Sequence, residues 1–202
     1  MSGSSARGRK PGRPSVRRER RDQIVTAFVE LVQERGHHEV SIAEVATRAG
    51  VHRSAVRHFV GNRSDLVIAA LDHVDALFEA HFDAAVGAEA SVDQILDYVF
   101  GTVNLADQPQ LGDAVLILAN AAVTDRTVRD HLRVSYEDEV REVAAMLEDP
   151  PGEQAIAIAY QVICLAEHNW TLQQVGLDAS YAEHARSLAA RIIAEFVERS
   201  GE

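Results

Sequence analysis

Apolar residues recur along this chain at three- and four-residue steps, the period of a helix that buries one face. Ile24, Val25, Phe28, Leu31 and Val32 form such a stripe over about residues 17–35. Gly36 supplies a stop just past the last turn. Ser41-Ile-Ala-Glu44 has the form of a capping box and predicts a second helix with Ile42, Val45 and Ala46 on its inner side. Ala49-Gly50-Val51 ends that helix, because glycine adopts the positive φ a tight turn requires. A short third helix is expected over about 52–58, with Val51 and Val56 facing inward. A longer helix followed by two short ones across a glycine turn is a helix-turn-helix pattern.

The rest of the chain reads as helix, with no sustained two-residue alternation and no internal repeat. Ser64 is the expected cap of a helix over about 64–86 with Leu66, Ala70, Val74, Leu77, Phe78 and Phe82 inside. Ser91-Val-Asp-Gln94 opens another, to about 105, and residues 107–110 form a turn. Further helices are expected over about 114–123 and from Thr124 to about 149. Pro150-Pro151-Gly152 is the clearest break. The last helices run over about 153–175 and 181–199, the second capped by Ser180. The expectation is an all-α chain of about nine helices. A basic arm (1–16) precedes a three-helix helix-turn-helix domain (17–63) and a larger helical domain (64–202).

Charge sharpens this division. The whole chain carries a formal −11, yet residues 1–65 hold 13 Lys and Arg against 7 Asp and Glu, whereas residues 66–202 hold 7 against 24. A basic front and an acidic back suit a molecule that presents one end to a polyanion. A disordered basic tail on an acidic domain would give the same split. The longest apolar run, Ala155 to Ala166 broken only by Gln161, is shorter than the roughly 18–20 residues a membrane span needs. The N-terminus is Gly-, Ser- and Arg-rich rather than a signal core, so a cytoplasmic protein without membrane partners is expected. The lone Cys164 lies within the apolar run and reads as a buried structural thiol. The nine histidines include no HExxH or His-x3-His pair, and there is no nucleophile elbow or phosphate loop. Neither a metal, a cofactor nor an enzyme activity is expected.

The segments Ile24-Val-Thr-Ala-Phe28, Gly36, Ser41-Ile-Ala-Glu-Val-Ala46, Ala49-Gly-Val51, Phe59 and Asn62-Arg-Ser-Asp-Leu66 closely resemble, with spacing intact, the DNA-binding domain of TetR-family regulators. The resemblance covers about 45 residues and implies a dimeric regulator that binds double-stranded DNA and senses a small molecule. This chain departs from the family where a phosphate-binding tyrosine usually stands, late in the recognition helix; the position is Arg57. Arg57 either holds a phosphate or reads guanine O6 and N7. Arg63 replaces the lysine that usually meets a phosphate, keeping charge and adding a planar fork. His52, Arg53, Ser54, Arg57 and His58 are expected to face outward into the major groove, with Ser41 offering its N–H and hydroxyl to a phosphate. Arg13, within Lys10-Pro-Gly-Arg13-Pro, vaguely resembles an AT-hook core and suggests an arm in the minor groove; a solvated tail is the plainer alternative.

The resemblance also implies an effector pocket. Polar or aromatic residues within apolar helices are the candidates: Tyr98, Asn104, Asn120, Tyr136, Gln161, His168 and Trp170. Each serves equally as a core residue with an internal partner. Ile156 and Ile163 in a helix apolar almost all round, with Leu188, Ile192 and Phe196 in the last helix, are candidates for a homodimer interface. The same helices packed as the core of one domain are the competing view. The rival function is a helical small-molecule-binding protein or enzyme whose helix-turn-helix is scaffold alone.

Overall fold

The computed structural model describes residues 13–36, 39–85, 91–100, 111–148 and 150–200, and the described residues form helices and no strand. The helices are α1 (Arg13–Arg35), α2 (Ile42–Arg48), α3 (Arg53–Phe59), α4 (Arg63–Ala85), α5 (Val92–Val99), α6 (Leu111–Ala119), α7 (Arg126–Leu147), α8 (Glu153–Gln174) and α9 (Ala179–Ser200). A 3-10 turn at Asn120–Val123 follows α6.

Several boundaries differ from the sequence expectation, α6 starting at Leu111 among them, and four have a local reason. Helix α1 begins at Arg13, inside the expected arm, because Pro14 falls in the first turn, where its missing N–H costs nothing. The cap of α4 is Asn62 rather than Ser64. Asn62 Oδ1 accepts from the Asp65 N–H at 3.1 Å, while the Asp65 carboxylate accepts from the Asn62 N–H at 2.8 Å. Asp125, not Thr124, opens α7 by accepting from the N–H groups of Thr127 and Val128. The Ser180 N–H donates to Asp178 at 2.9 Å, which moves the start of α9 ahead of Ser180.

The chain divides into two compact units, one ending at Ala70 and the other beginning at Leu71. In the first, Ile24, Val25, Phe28, Leu31 and Val32 of α1 are buried, as are Val40, Val45, Val56 and Leu66. Burial of one side chain from each short helix, Val45 and Val56, fixes which faces of α2 and α3 turn outward. In the second unit Ile95 and Leu96 of α5, Val143 and Ala144 of α7, Ala155, Ile158, Ala159, Val162 and Ile163 of α8, and Ala189, Ile193 and Phe196 of α9 form one buried cluster. Arg186 of α9 bonds Asp97 of α5 at 2.7 Å at its edge.

Candidate nucleic-acid interface

The turn between α2 and α3 is built by hydrogen bonds that only a left-handed residue permits. Gly50 has φ +64°; its N–H donates to Thr47 O at 3.2 Å, and the Val51 N–H reaches back to Ala46 O at 2.9 Å. Ahead of α2 the capping box forms as the sequence predicts. The Glu44 N–H donates to Ser41 Oγ, and Glu44 Oε2 accepts from the Ser41 N–H at 2.9 Å and its hydroxyl at 2.7 Å. Arg35 of α1 donates to the other Glu44 oxygen at 2.8 Å. These bonds, led by that from the Ser41 backbone, hold the Glu44 carboxyl down at about 2. Both Ser41 donors are therefore spent inside the unit, and Ser41 acts here as the helix cap rather than as a free hydrogen-bond donor.

Arg48, at the end of α2, forks onto Glu34 of α1 at 2.9 and 3.0 Å and reaches Glu30 at 3.2 Å. Arg63, at the start of α4, donates to Val40 O at 2.6 Å, and its guanidinium stands 5.9 Å from the centre of the Phe28 ring. Burial lowers the Arg63 pKa from the ordinary guanidinium value. The side chain expected to meet a phosphate is thus anchored on the loop that leads into α2. Gly61, at φ +129°, makes the turn before α4 possible; a Cβ there would stand 2.2 Å from Asp65 Oδ2 and displace the carboxylate from Asn62. The braces through Arg35 and Arg48 join residues 9 to 18 positions apart and leave no local signal in the sequence.

The recognition helix α3 presents the opposite arrangement. Val56 is fully buried, and His52, Arg53, Ser54, Arg57 and His58 are exposed, as the helix-turn-helix pattern predicts; Val51, expected inside, is half-buried. Among the described residues, neither Arg53 nor Arg57 has a hydrogen-bond or ion-pair partner. His58 packs edge-on against Phe59, with centroids 4.8 Å apart. His52 caps the helix, its Nδ1 accepting from the Ser54 N–H. Arg13 opens α1, and its side chain lies outside the described residues.

In the second unit the seven pocket candidates do not share one environment. Asn104 lies outside the described residues, and Asn120, Gln161 and His168 are exposed. Trp170 and Tyr98 are half-buried, Tyr98 against the apolar cluster. Tyr136, at the surface edge of α7, has its hydroxyl pKa raised by burial and by the carboxylates of Glu167, Glu139 and Asp75. Burial, then the neighbouring charges of Glu167, Asp75 and Glu142, pushes Glu139 up to about 7; burial also raises Glu167. No sequence signal singles these acids out, because only tertiary burial distinguishes them. Cys164, expected to be buried, is exposed, because it lies on the outward side of α8. The interface candidates also separate. Ile163 and Phe196 belong to the buried cluster, with 5% and 4% exposure, because they lie on the inner faces of α8 and α9. Ile156 and Leu188 remain about two-fifths exposed at 39% and 40%, and Ile192 is half-buried.

Comparison with known proteins points the same way. Residues 24–70 match the family model for bacterial regulatory proteins, tetR family. The HTH-type transcriptional regulator BetI of Brucella anthropi is 28% identical over 68 residues, spanning 34% of this chain and 35% of BetI. The chain thus matches about a third of that relative's length. A TetR transcription regulator from Haloarcula marismortui has the same fold, with a TM-score of 0.73 at 20% identity over 88% of this chain and 98% of its own. The multidrug binding protein EbrR, solved with imidazole, is similar with a TM-score of 0.61 and 24% identity over 86% of this chain and 89% of its own. Residues 24–70, with the helix-turn-helix braced as described, are thus similar to the bacterial regulatory proteins of the tetR family.

Proposed function

We propose that this chain is a ligand-responsive transcription regulator that binds double-stranded DNA as a homodimer and represses until a small molecule releases it. The observation that carries the reading is the division of labour among its arginines. Arg35, Arg48 and Arg63 are committed to internal partners, while Arg53 and Arg57 stand exposed on the helix that follows the tight turn. An α-helix fits the major groove, where a guanidinium reads guanine O6 and N7 or grips a flanking phosphate. The basic front and acidic back of the chain orient such an encounter.

Dimerisation is supported by the outward faces of α8 and α9. Ile156, Tyr160 and Leu188 are 39, 60 and 40% exposed, apolar surface that a second copy would cover. Two reading heads about 34 Å apart, or a multiple of that, would favour a palindromic operator. A small molecule with unequal affinity for the DNA-competent state and its alternative would shift the balance between them. The likeness to EbrR, a multidrug binding protein, supports effector sensing in the helical unit.

The test is a fluorescence-anisotropy titration of the full chain at several salt concentrations. It compares duplex DNA from upstream of its own gene with a scrambled duplex. Binding tighter to the first by ~10³ or more, with a steep salt slope, is expected. No binding to either duplex at low salt would overturn the reading in favour of a scaffold helix-turn-helix.

A further inference from the structure

We propose that the first turns of α1 carry a phosphate-binding face, Arg17, Arg20 and Arg21, that grips the backbone of the same duplex whose bases α3 reads. This rests on the DNA-reading function above and adds a contact surface outside the residues that match the family model, which begin at Ile24.

The buried part of α1 runs from Ile24 to Val32, yet the helix starts at Arg13. The turns before Ile24 carry it about 16 Å past the core. None of residues 16–23 is buried; Arg17 and Arg20 are exposed and Arg21 is half-buried. By helical spacing, Arg17 and Arg21 fall in line with the buried Ile24 and Phe28, and Arg20 with Ala27 and Leu31. Where the core ends, arginines thus take over the stripe on which α1 packs against α2 and α3. Glu19 and Asp22 lie on the opposite side of the helix.

The charges on this face are uncompensated. Among the described residues, no carboxylate stands within ion-pair distance of Arg17, Arg20 or Arg21. Arg20 donates instead to a neutral acceptor, Gln23 Oε1, at 2.9 Å. Arg18, on the side of the acids, stands 3.9 Å from Asp22. Like charges at three- and four-residue spacing repel and weaken a helix in water, and a polyanion laid along them reverses the sign of that effect. Residues 66–202 hold 24 acids against 7 bases, so attraction for a polyanion is concentrated at this end of the chain. Guanidinium forks match phosphate oxygens in pairs, and phosphate contacts fix register without reading sequence. The face therefore adds affinity for any duplex, whereas Arg53 and Arg57 supply the preference.

Anisotropy titrations of the full chain on the upstream and scrambled duplexes test this, across a range of salt concentrations. The variants are Arg17→Gln with Arg21→Gln, Arg17→Lys with Arg21→Lys, Arg17→Gln alone and Arg18→Gln alone, each beside a thermal melt. Glutamine keeps the helix preference of arginine and removes the charge. The glutamine pair should weaken both duplexes alike, about 10- to 100-fold near 0.1 M salt, and keep the ratio between them. It should lower the slope of log affinity against log salt by about 2. The lysine pair should keep the slope, and Arg18→Gln should bind as wild type. Should the glutamine pair melt lower than wild type, Arg17→Gln against Arg18→Gln carries the comparison. A glutamine pair that melts as wild type and binds both duplexes with unchanged affinity and slope overturns the proposal. So does an Arg18→Gln that weakens binding as much as Arg17→Gln, which would assign the effect to net charge. A wild type that binds neither duplex removes this face and the DNA-reading function together. One that binds both equally, with the loss still seen in the glutamine pair, removes sequence reading and leaves the face standing.

Discussion

The two units hold their carboxylates in opposite ways. In the first, Glu44 is gathered by the N–H and hydroxyl of Ser41 and the guanidinium of Arg35, which keep it ionised down to about 2. In the second, Glu139 is half-buried near Glu167, Asp75 and Glu142, which keep it protonated up to about 7. The first unit spends polar bonds to fix the attitude of two short helices that could not hold it alone. The second holds its helices by an apolar cluster and tolerates acids at its margin. A reading head requires positional precision, and directional bonds supply it. A helical domain proposed to pair through α8 and α9 needs apolar surface on their outward faces, and Ile156 and Leu188 supply it.

The signs of the pH responses follow from this contrast. The folded pKa of Glu44 lies below its ordinary value of 4.5, so its contribution is present above 4.5 and lost as pH falls through about 2. The folded pKa of Glu139 lies above 4.5, so the folded state binds the extra proton between 4.5 and about 7; stability falls as pH rises through that window.

The largest effect is expected at the core of the reading unit. Phe28→Ala empties a fully buried site and removes the ring beneath Arg63; a loss of about 3–5 kcal/mol in denaturant unfolding is expected. Loss near zero would mean that α1 and α4 do not depend on this contact. Next is the pairing face. Ile156→Asp with Leu188→Asp should give a monomer in sedimentation and reduce operator affinity by about a hundredfold or more, since one linked reading head is lost. A dimer that persists would place the interface elsewhere. Glu139→Gln should raise the thermal midpoint at pH 8 and flatten its pH dependence between 4.5 and 7, an effect of at most about 3 kcal/mol. An unchanged profile would show that Glu139 titrates as an ordinary surface acid. The smallest effect is expected at the cap. Ser41→Ala should cost about 1 kcal/mol of stability without altering which DNA sequence is preferred. A changed preference would return Ser41 to the DNA contacts.

The reading unit was the more legible part because its signals are local. A serine three residues before a glutamate, a glycine after α2 and the inward Val56 are visible in a short window of sequence. Its braces were not, since Arg48 meets Glu30 and Glu34 across 18 and 14 positions and Arg63 meets Val40 across 23. Arg63 also shows that residue type alone leaves the partner open: the same fork that suits a phosphate suits a carbonyl and an aromatic face. In the second unit, an α8 that is apolar almost all round gave no means to separate inward Ile163 from outward Ile156. Capping errors came from competition between adjacent polar residues. Asn62 outcompeted Ser64, and Asp178 outcompeted Ser180, because each places its oxygen opposite an N–H in the first turn.

The central claim is that Arg53 and Arg57 read DNA while Arg35, Arg48 and Arg63 brace the unit. Arg53→Ala with Arg57→Ala tests it in the anisotropy titration of upstream against scrambled duplex, beside a thermal melt. The account expects an unchanged melt, a shallower salt slope, and collapse of the ~10³ preference toward equal binding. A double variant that melts as wild type and still prefers the upstream duplex as strongly would contradict it.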